Sequence, residues 1–151
     1  MIQQKGFKII GISVETSNQG GEASSAIGAL WGQFISENLL SKIPNQLDSD
    51  ILCIYTNYES DYTGKYTCFL GVKVSSLEKI PEGLVGQEFE GGKFQPFLAQ
   101  GEFPQAIVDT WQSIWDQDKS LNRSYTYDYE VYDDKSRQGE ESEAAIFIAI
   151  N

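Results

Sequence analysis

The chain contains no histidine. That absence excludes Ser-His-Asp and Cys-His catalytic groupings and every zinc site built on imidazole. Cysteine is nearly as scarce. Cys53 and Cys68 are the only two, too few for a four-thiolate zinc site within one chain. Positive charge is also short: 11 Lys and Arg face 22 Asp and Glu, for a net charge of −11. Such a field repels nucleic acid and anionic membranes and attracts cations. No apolar run approaches the roughly 20 residues that span a bilayer. The opening Met1 to Gly6, with the short apolar run that ends at Glu15, lacks the small-residue cleavage pattern of a secretory leader. These absences predict a cytoplasmic protein without a metal or cofactor. Any catalysis would fall to carboxylates, tyrosines or lysines.

What is present is a globular composition, 40% apolar and 13% aromatic over 151 residues. It predicts a single domain over 1–151 with a sizeable core. Phe7 to Val14 is β-branched and reads as a strand, and Thr16 to Gly21 as a loop. From Glu22 the period changes. Ala26, Ile27, Leu30, Trp31, Phe34, Ile35 and Leu39 form one apolar helical stripe, which Pro44 and Asn45 end. Ile51–Tyr58 and Tyr66–Val74 read as strands joined by the turn at Ser60–Gly64. Cys53 and Cys68 fall on these two strands. A cross-strand disulfide is therefore open beside the simpler reading of two buried, reduced thiols.

The order then recurs. After the turn at Pro81–Gly83 come a strand over Leu84–Phe89 and a short extended piece over Lys93–Ala99. A second helical stripe follows at Ile107, Val108, Trp111, Ile114 and Trp115, then strands at Tyr125–Tyr132 and Ala144–Ile150. Trp31-x-x-Phe34 answers Trp111-x-x-Ile114, and Tyr55-x-x-Tyr58 answers Tyr129-x-x-Tyr132, at separations of about 74 to 80 residues. The fold class predicted is α+β: two pseudo-symmetric β-α-β-β repeats, about 1–80 and 84–151, forming antiparallel sheet with a helix on each half. The seam between such halves is a natural place for a pocket.

One carboxylate stands out. Glu130 lies mid-strand, and alternation places Asp128, Glu130 and Tyr132 on one face and Tyr125, Tyr127, Tyr129 and Val131 on the other. A carboxylate among aromatics is desolvated and then needs a positive partner. Few bases are available; Arg123 lies at the strand's entrance rather than opposite its middle. A bound organic cation would serve, each ring face adding about 0.5–2 kcal/mol. The alternative is a solvated polar face on which Glu130 is one acid among 22. By the same pattern Trp31, Trp111 and Trp115 read first as core packing. Gly20-Gly21 and Gly91-Gly92 lack the lysine and spacing of a phosphate loop.

The series Phe7, Ile10, Gly11 and Ser13, then Thr16-Ser17-Asn18, Leu30-Trp31-x-x-Phe34, Asp61-Tyr62-Thr63-Gly64 and Pro81-Glu82-Gly83-Leu84, resembles the GyrI-like effector-binding family. Gly101-x-x-Pro104, Trp111-x-x-Ile114 and Arg123-x-Tyr125-x-x-Asp128-Tyr129-Glu130-x-Tyr132 extend the resemblance over nearly the whole chain. It is similar to the stand-alone, integron-associated type, without the DNA-binding helices of AraC-like and MerR-like relatives. The resemblance implies the fold called SOUL or GyrI-like, with a ligand cleft between the halves. It implies that Glu130, ringed by aromatics, binds lipophilic cations and that Trp111 lines the site. Tyr58, Tyr127 and Phe97 join them by expected nearness to the cleft. Lys93-Phe94 departs from the tyrosine usual in relatives, which places a different residue at the pocket's edge.

The function expected is a small-molecule binding module for amphipathic or cationic effectors, in regulation or drug sensing and sequestration. Two other readings stand beside it. One is a hydrolase of reactive cyclopropane-bearing compounds using Glu130. The other is an inhibitor module acting through the acidic loop Asp133–Glu143.

Overall fold

The computed structural model describes residues 1–151. Its elements are β1 (Ile2–Gln4), β2 (Phe7–Ser17), α1 (Glu22–Ser36), β3 (Gln46–Thr56), β4 (Lys65–Val74), β5 (Val85–Phe89), β6 (Gly92–Gln100), α2 (Gln105–Asp116), the single turn α3 (Asp118–Leu121), β7 (Tyr127–Tyr132) and β8 (Glu143–Ile150). The strands form one antiparallel sheet in the order β1-β6-β8-β7-β3-β4-β2-β5.

That order contains the repeat. Strands β3, β4 and β2 mirror β7, β8 and β6 about the central β3/β7 pair, and α1 and α2 occupy the same place in each half. By its sequence pattern the second unit is expected to begin at Leu84–Phe89. In the structure the counterpart of β2 is β6, and β5 is an additional leading strand. The first unit has one as well, the unanticipated β1. Each leading strand crosses over: β1 pairs β6, and β5 pairs β2. The two edges of the sheet are thereby tied together and the sheet curls.

Alternation then decides what goes where. On the inner, concave face Ile9, Leu52, Ile54, Phe69, Phe89, Phe94, Tyr127 and Tyr129 form one buried cluster. The outer face carries the helices. Leu30 and Phe34 of α1 pack on Ile10, Ile12, Leu70 and Val72, while Ile114 of α2 packs on Ala99, Ile146 and Ile148. Strand β7 is covered on both faces: Asp128 is 0% exposed and Glu130 1%. A solvated polar face is therefore excluded for this strand.

The tyrosine correspondence needs correction. Tyr55 faces the helices and Tyr129 faces the inner cluster, so the two are not equivalent. A slip of one residue reverses the face of every side chain, and only the pairing register reveals it. Trp31 meets Tyr132 edge-on at 4.9 Å, and Trp111 meets Tyr55 edge-on at 5.3 Å. Each helix tryptophan thus abuts a tyrosine on the other half's central strand, which makes Tyr132 the counterpart of Tyr55. By the same separation Glu130 is the counterpart of Cys53, and these two are paired directly across β3 and β7. They flank the pseudo-dyad.

Closure of the sheet depends on two glycines where the leading strands cross. A Cβ on Gly6 would lie 2.6 Å from the Phe89 carbonyl oxygen, and one on Gly91 would lie 2.6 Å from that of Gln4. Backbone cannot yield there as a side chain would. Gly91→Ala should therefore lower stability by about 2 kcal/mol or more, read as a shifted urea midpoint; a midpoint within error of the parent would contradict the crossing described.

Candidate functional site

Helices α1 and α2 leave a gap above β3 and β7, lined from both helices and both strands. The gap is a cleft of about 990 Å³. Its floor is Tyr55, Glu130 and Tyr132, and its walls include Trp31, Trp111 and Trp115. The helical stripes therefore serve two purposes. Leu30, Phe34 and Ile114 are buried in the core, whereas the three tryptophans are half-buried and face the cleft. Ile35 and Val108, read as core from periodicity, are 68% and 55% exposed at the same opening. Tyr62 and Trp115 stack nearly parallel at 5.6 Å, completing a wall of ring faces.

Glu130 is held by three donors. Its Oε2 accepts from the Tyr55 hydroxyl at 2.8 Å and from Trp111 Nε1 at 2.6 Å, and its Oε1 accepts from the Tyr132 hydroxyl at 2.5 Å. A hydrogen bond to a charged group is worth about 1.5–3 kcal/mol, against several kcal/mol for desolvating the ion. The balance remains against the charge. Burial pushes the Glu130 carboxyl above its ordinary range despite the opposing pull of Tyr132, Trp111 and Tyr55. Burial also pushes the Tyr55 and Tyr132 hydroxyls well up, so both stay protonated as donors.

The neighbouring acid on the same face shows what is missing. Asp128 accepts from Arg123 Nη2 at 2.7 Å, the Tyr58 hydroxyl at 2.5 Å and the Ala149 backbone N–H at 2.8 Å. Arg123 also reaches Asp118 at 3.3 Å. It is thus committed to Asp128 and Asp118 and does not serve Glu130. The ion pairs of the chain are Arg123–Asp118, Arg123–Asp128 and Lys135–Glu143. Glu130 has hydrogen bonds but no counter-charge.

Directly across the dyad, Cys53 and Cys68 are free thiols with sulfurs 3.4 Å apart. Hydrogen bonding with Cys68 and burial push the Cys53 thiol up, which suits an inert, packed group. No three Cys, Asp or Glu side chains converge as a metal would require.

The expected site residues divide. Glu130, Trp111 and Tyr58 line one cleft. Tyr127 does not: it lies on the inner face, donating to the Glu90 carbonyl at 2.5 Å. Its position one residue from Asp128 turns it to the other side of the sheet. Phe97 is also elsewhere, beside Ala106, Asp109 and Ser113 on the opposite flank of α2. Tyr55 and Tyr132, the partners of Glu130, are absent from the expected site residues. Tyr132 was detectable by alternation; Tyr55 needed the β3/β7 register.

Residues 1–150 match the family described as Cass2, integron-associated effector binding protein. The chain belongs to this family. YobU of Bacillus subtilis (strain 168), which carries the name of a transcriptional regulator, is 26% identical over 146 residues, covering 95% of this chain and 91% of YobU. Among solved structures, the integron cassette protein VCH_CASS2 from the mobile metagenome of Vibrio cholerae has a TM-score of 0.74 at 29% identity, over 99% of this chain and 94% of that one. SAV2435 bound to tetraphenylphosphonium has a TM-score of 0.82 at 19% identity, over 99% and 92%; at that identity it shows the shared fold alone. The curled sheet with two helices is thus the GyrI-like effector-binding fold, and effector binding is the family's described role. No helix is long and apolar enough to cross a membrane.

A carboxyl whose folded-state pKa lies above its ordinary 4.5 binds its proton more tightly when folded. Stability is then lost as pH rises from about 4.5 through the folded value. Glu130→Gln should accordingly raise the urea midpoint at neutral pH, and the gain should shrink as pH is brought down to about 4.5. Unfolding curves over a pH series check this; a gain that does not vary with pH would contradict it.

Proposed function

We propose that the cleft is the effector site and that its effector is an amphipathic organic cation. Glu130 is the charge partner and Trp111 an aromatic wall. One observation carries the reading: Glu130 is 1% exposed, faces a large aromatic cleft and has no positive partner, while Asp128, two residues away, has Arg123. A cation entering the cleft would supply the missing charge, and rings around it would add about 0.5–2 kcal/mol each. The apolar walls favour a ligand whose charge is carried on a hydrophobic body. Tetraphenylphosphonium, the cation bound by SAV2435, is of that class.

Both Glu130 oxygens already accept side-chain hydrogen bonds. That arrangement suits charge compensation better than activation of a water, so binding is preferred to hydrolysis. With a net charge of −11, direct binding to DNA is opposed. The chain then senses or sequesters its ligand in regulation.

Titration calorimetry with tetraphenylphosphonium and neutral triphenylphosphine oxide tests this. Glu130→Gln should weaken the cation at least about tenfold, roughly 1.4 kcal/mol, and leave the neutral compound nearly unchanged. Trp111→Ala should weaken both, because it removes apolar area as well as a ring face. Unchanged binding of the cation by Glu130→Gln would remove Glu130 from the site.

A further inference from the structure

The charge lining the cleft runs against the composition of the chain. Acids outnumber bases 22 to 11 overall, yet the charged residues along the cleft are one acid, Glu130, and two arginines, Arg123 and Arg137. A site for a simple cation would be expected to avoid arginine, since each nearby positive charge opposes the ligand. The charge of Arg123 is accounted for, while its buried Nε has no hydrogen-bond partner. Its Nη1 and Nη2 are bonded to Asp118 and Asp128, its side chain is 1% exposed, and it is electrically neutralised.

Arg137 is not accounted for. It stands at the end of the short turn Asp134–Arg137 between β7 and β8, exposed at the cleft, with no ion pair and no side-chain hydrogen bond. Asp134, Glu140 and Glu141, among the acids nearest it in sequence, make no ion pair with it, and two others are engaged elsewhere. Asp133 caps its own turn by accepting from the Lys135 backbone N–H, and Glu143 pairs with Lys135. Arg137 and Arg123 lie beyond opposite ends of β7, with Glu130 between them on the floor. An unpaired guanidinium at the rim of a cleft whose floor holds an unpaired carboxylate is a pair of complementary charges facing one cavity, neither in an ion pair with the protein.

We infer that Arg137 is an anion-recognising arm of this site, so that the cleft selects zwitterionic amphiphiles: molecules with a cationic centre for Glu130 and a carboxylate for Arg137 on one hydrophobic frame. The guanidinium fork matches a carboxylate in two parallel hydrogen bonds. Its exposed position makes it a selector rather than the main source of affinity, in keeping with the small worth of exposed ion pairs. This inference rests on the cation-binding reading of Glu130, and its test separates the two.

Rhodamine 110 and rhodamine 123 share one cationic xanthene and differ in a single group, a free carboxylate in the first and its methyl ester in the second. Fluorescence anisotropy titrations of both dyes against the wild type, Arg137→Gln and Glu130→Gln give the comparison. The wild type should bind rhodamine 110 about threefold to fivefold more tightly than rhodamine 123. Arg137→Gln should abolish that preference. It should weaken rhodamine 110 and leave rhodamine 123 unchanged or slightly tighter, because a repelling charge has gone. Glu130→Gln should weaken both dyes. If rhodamine 123 binds in a Glu130-dependent way but rhodamine 110 is not preferred, or if Arg137→Gln shifts both dyes equally, Arg137 is a solvated rim arginine and the zwitterion inference falls alone. If Glu130→Gln leaves both dyes unaffected, the cation reading falls and takes the inference with it.

Discussion

A carboxylate buried without a counter-ion, at the middle of a sheet, is the constraint to which the rest of this structure is fitted. Glu130 is tolerable there because three donors converge on it from three directions: Tyr55 from the paired strand, Tyr132 from two residues along its own strand, and Trp111 from the helix above. Each donor comes from an element whose position the others help to define. Moving β3 by one residue would turn Tyr55 to the inner face, and rotating α2 would withdraw the indole N–H. The bonds offset much of the desolvation cost but not all of it, as the upward push on the carboxyl shows. What remains is a buried acid without a counter-charge on the floor of a cleft.

The duplicated scaffold explains why the cleft exists. Two helices related by a pseudo-dyad each cover their own half of the sheet, and the seam over β3 and β7 belongs to neither. Aromatic pairs repeat across the seam, Trp31 with Tyr132 and Trp111 with Tyr55. Charge does not repeat. At the dyad one half presents Glu130 and the other Cys53, a small buried thiol packed on Cys68. Two carboxylates facing each other there would repel. The frame is symmetric and the buried charge at its centre is not.

The contrast between Asp128 and Glu130 shows how closely spaced acids acquire different work. Both are buried on the same face of β7, two residues apart. Asp128 is locked by Arg123, Tyr58 and a backbone N–H of β8, and so ties the strand ends and the Arg123 segment together. Glu130 receives only neutral donors. One is a structural ion pair; the other is a buried acid with no counter-charge that faces the cleft.

Periodicity and composition alone established the strands around Ile10, Cys53, Leu70, Glu130 and Ile148, the two amphipathic helices, the repeat of their order and the absence of histidine chemistry. These follow from local alternation and from which residue types exist at all. Alternation also placed Glu130 and Tyr132 together and Tyr127 apart from them, though Tyr127 was still expected at the cleft; the resemblance to GyrI-like proteins, not spacing, drew attention to Trp111. Tertiary structure decided the remainder. The crossing of β1 and β5 and the register that sets Tyr55 against Glu130 are long-range pairings that no local pattern encodes; Arg123 and Asp128 lie only five residues apart, but it is the burial of both that pairs them. Phe97 and Ile35 show the same limit, since a periodic stripe says that a residue is apolar but not whether core, cleft or the far flank of a helix receives it. Those destinations depend on how two distant halves of the chain meet.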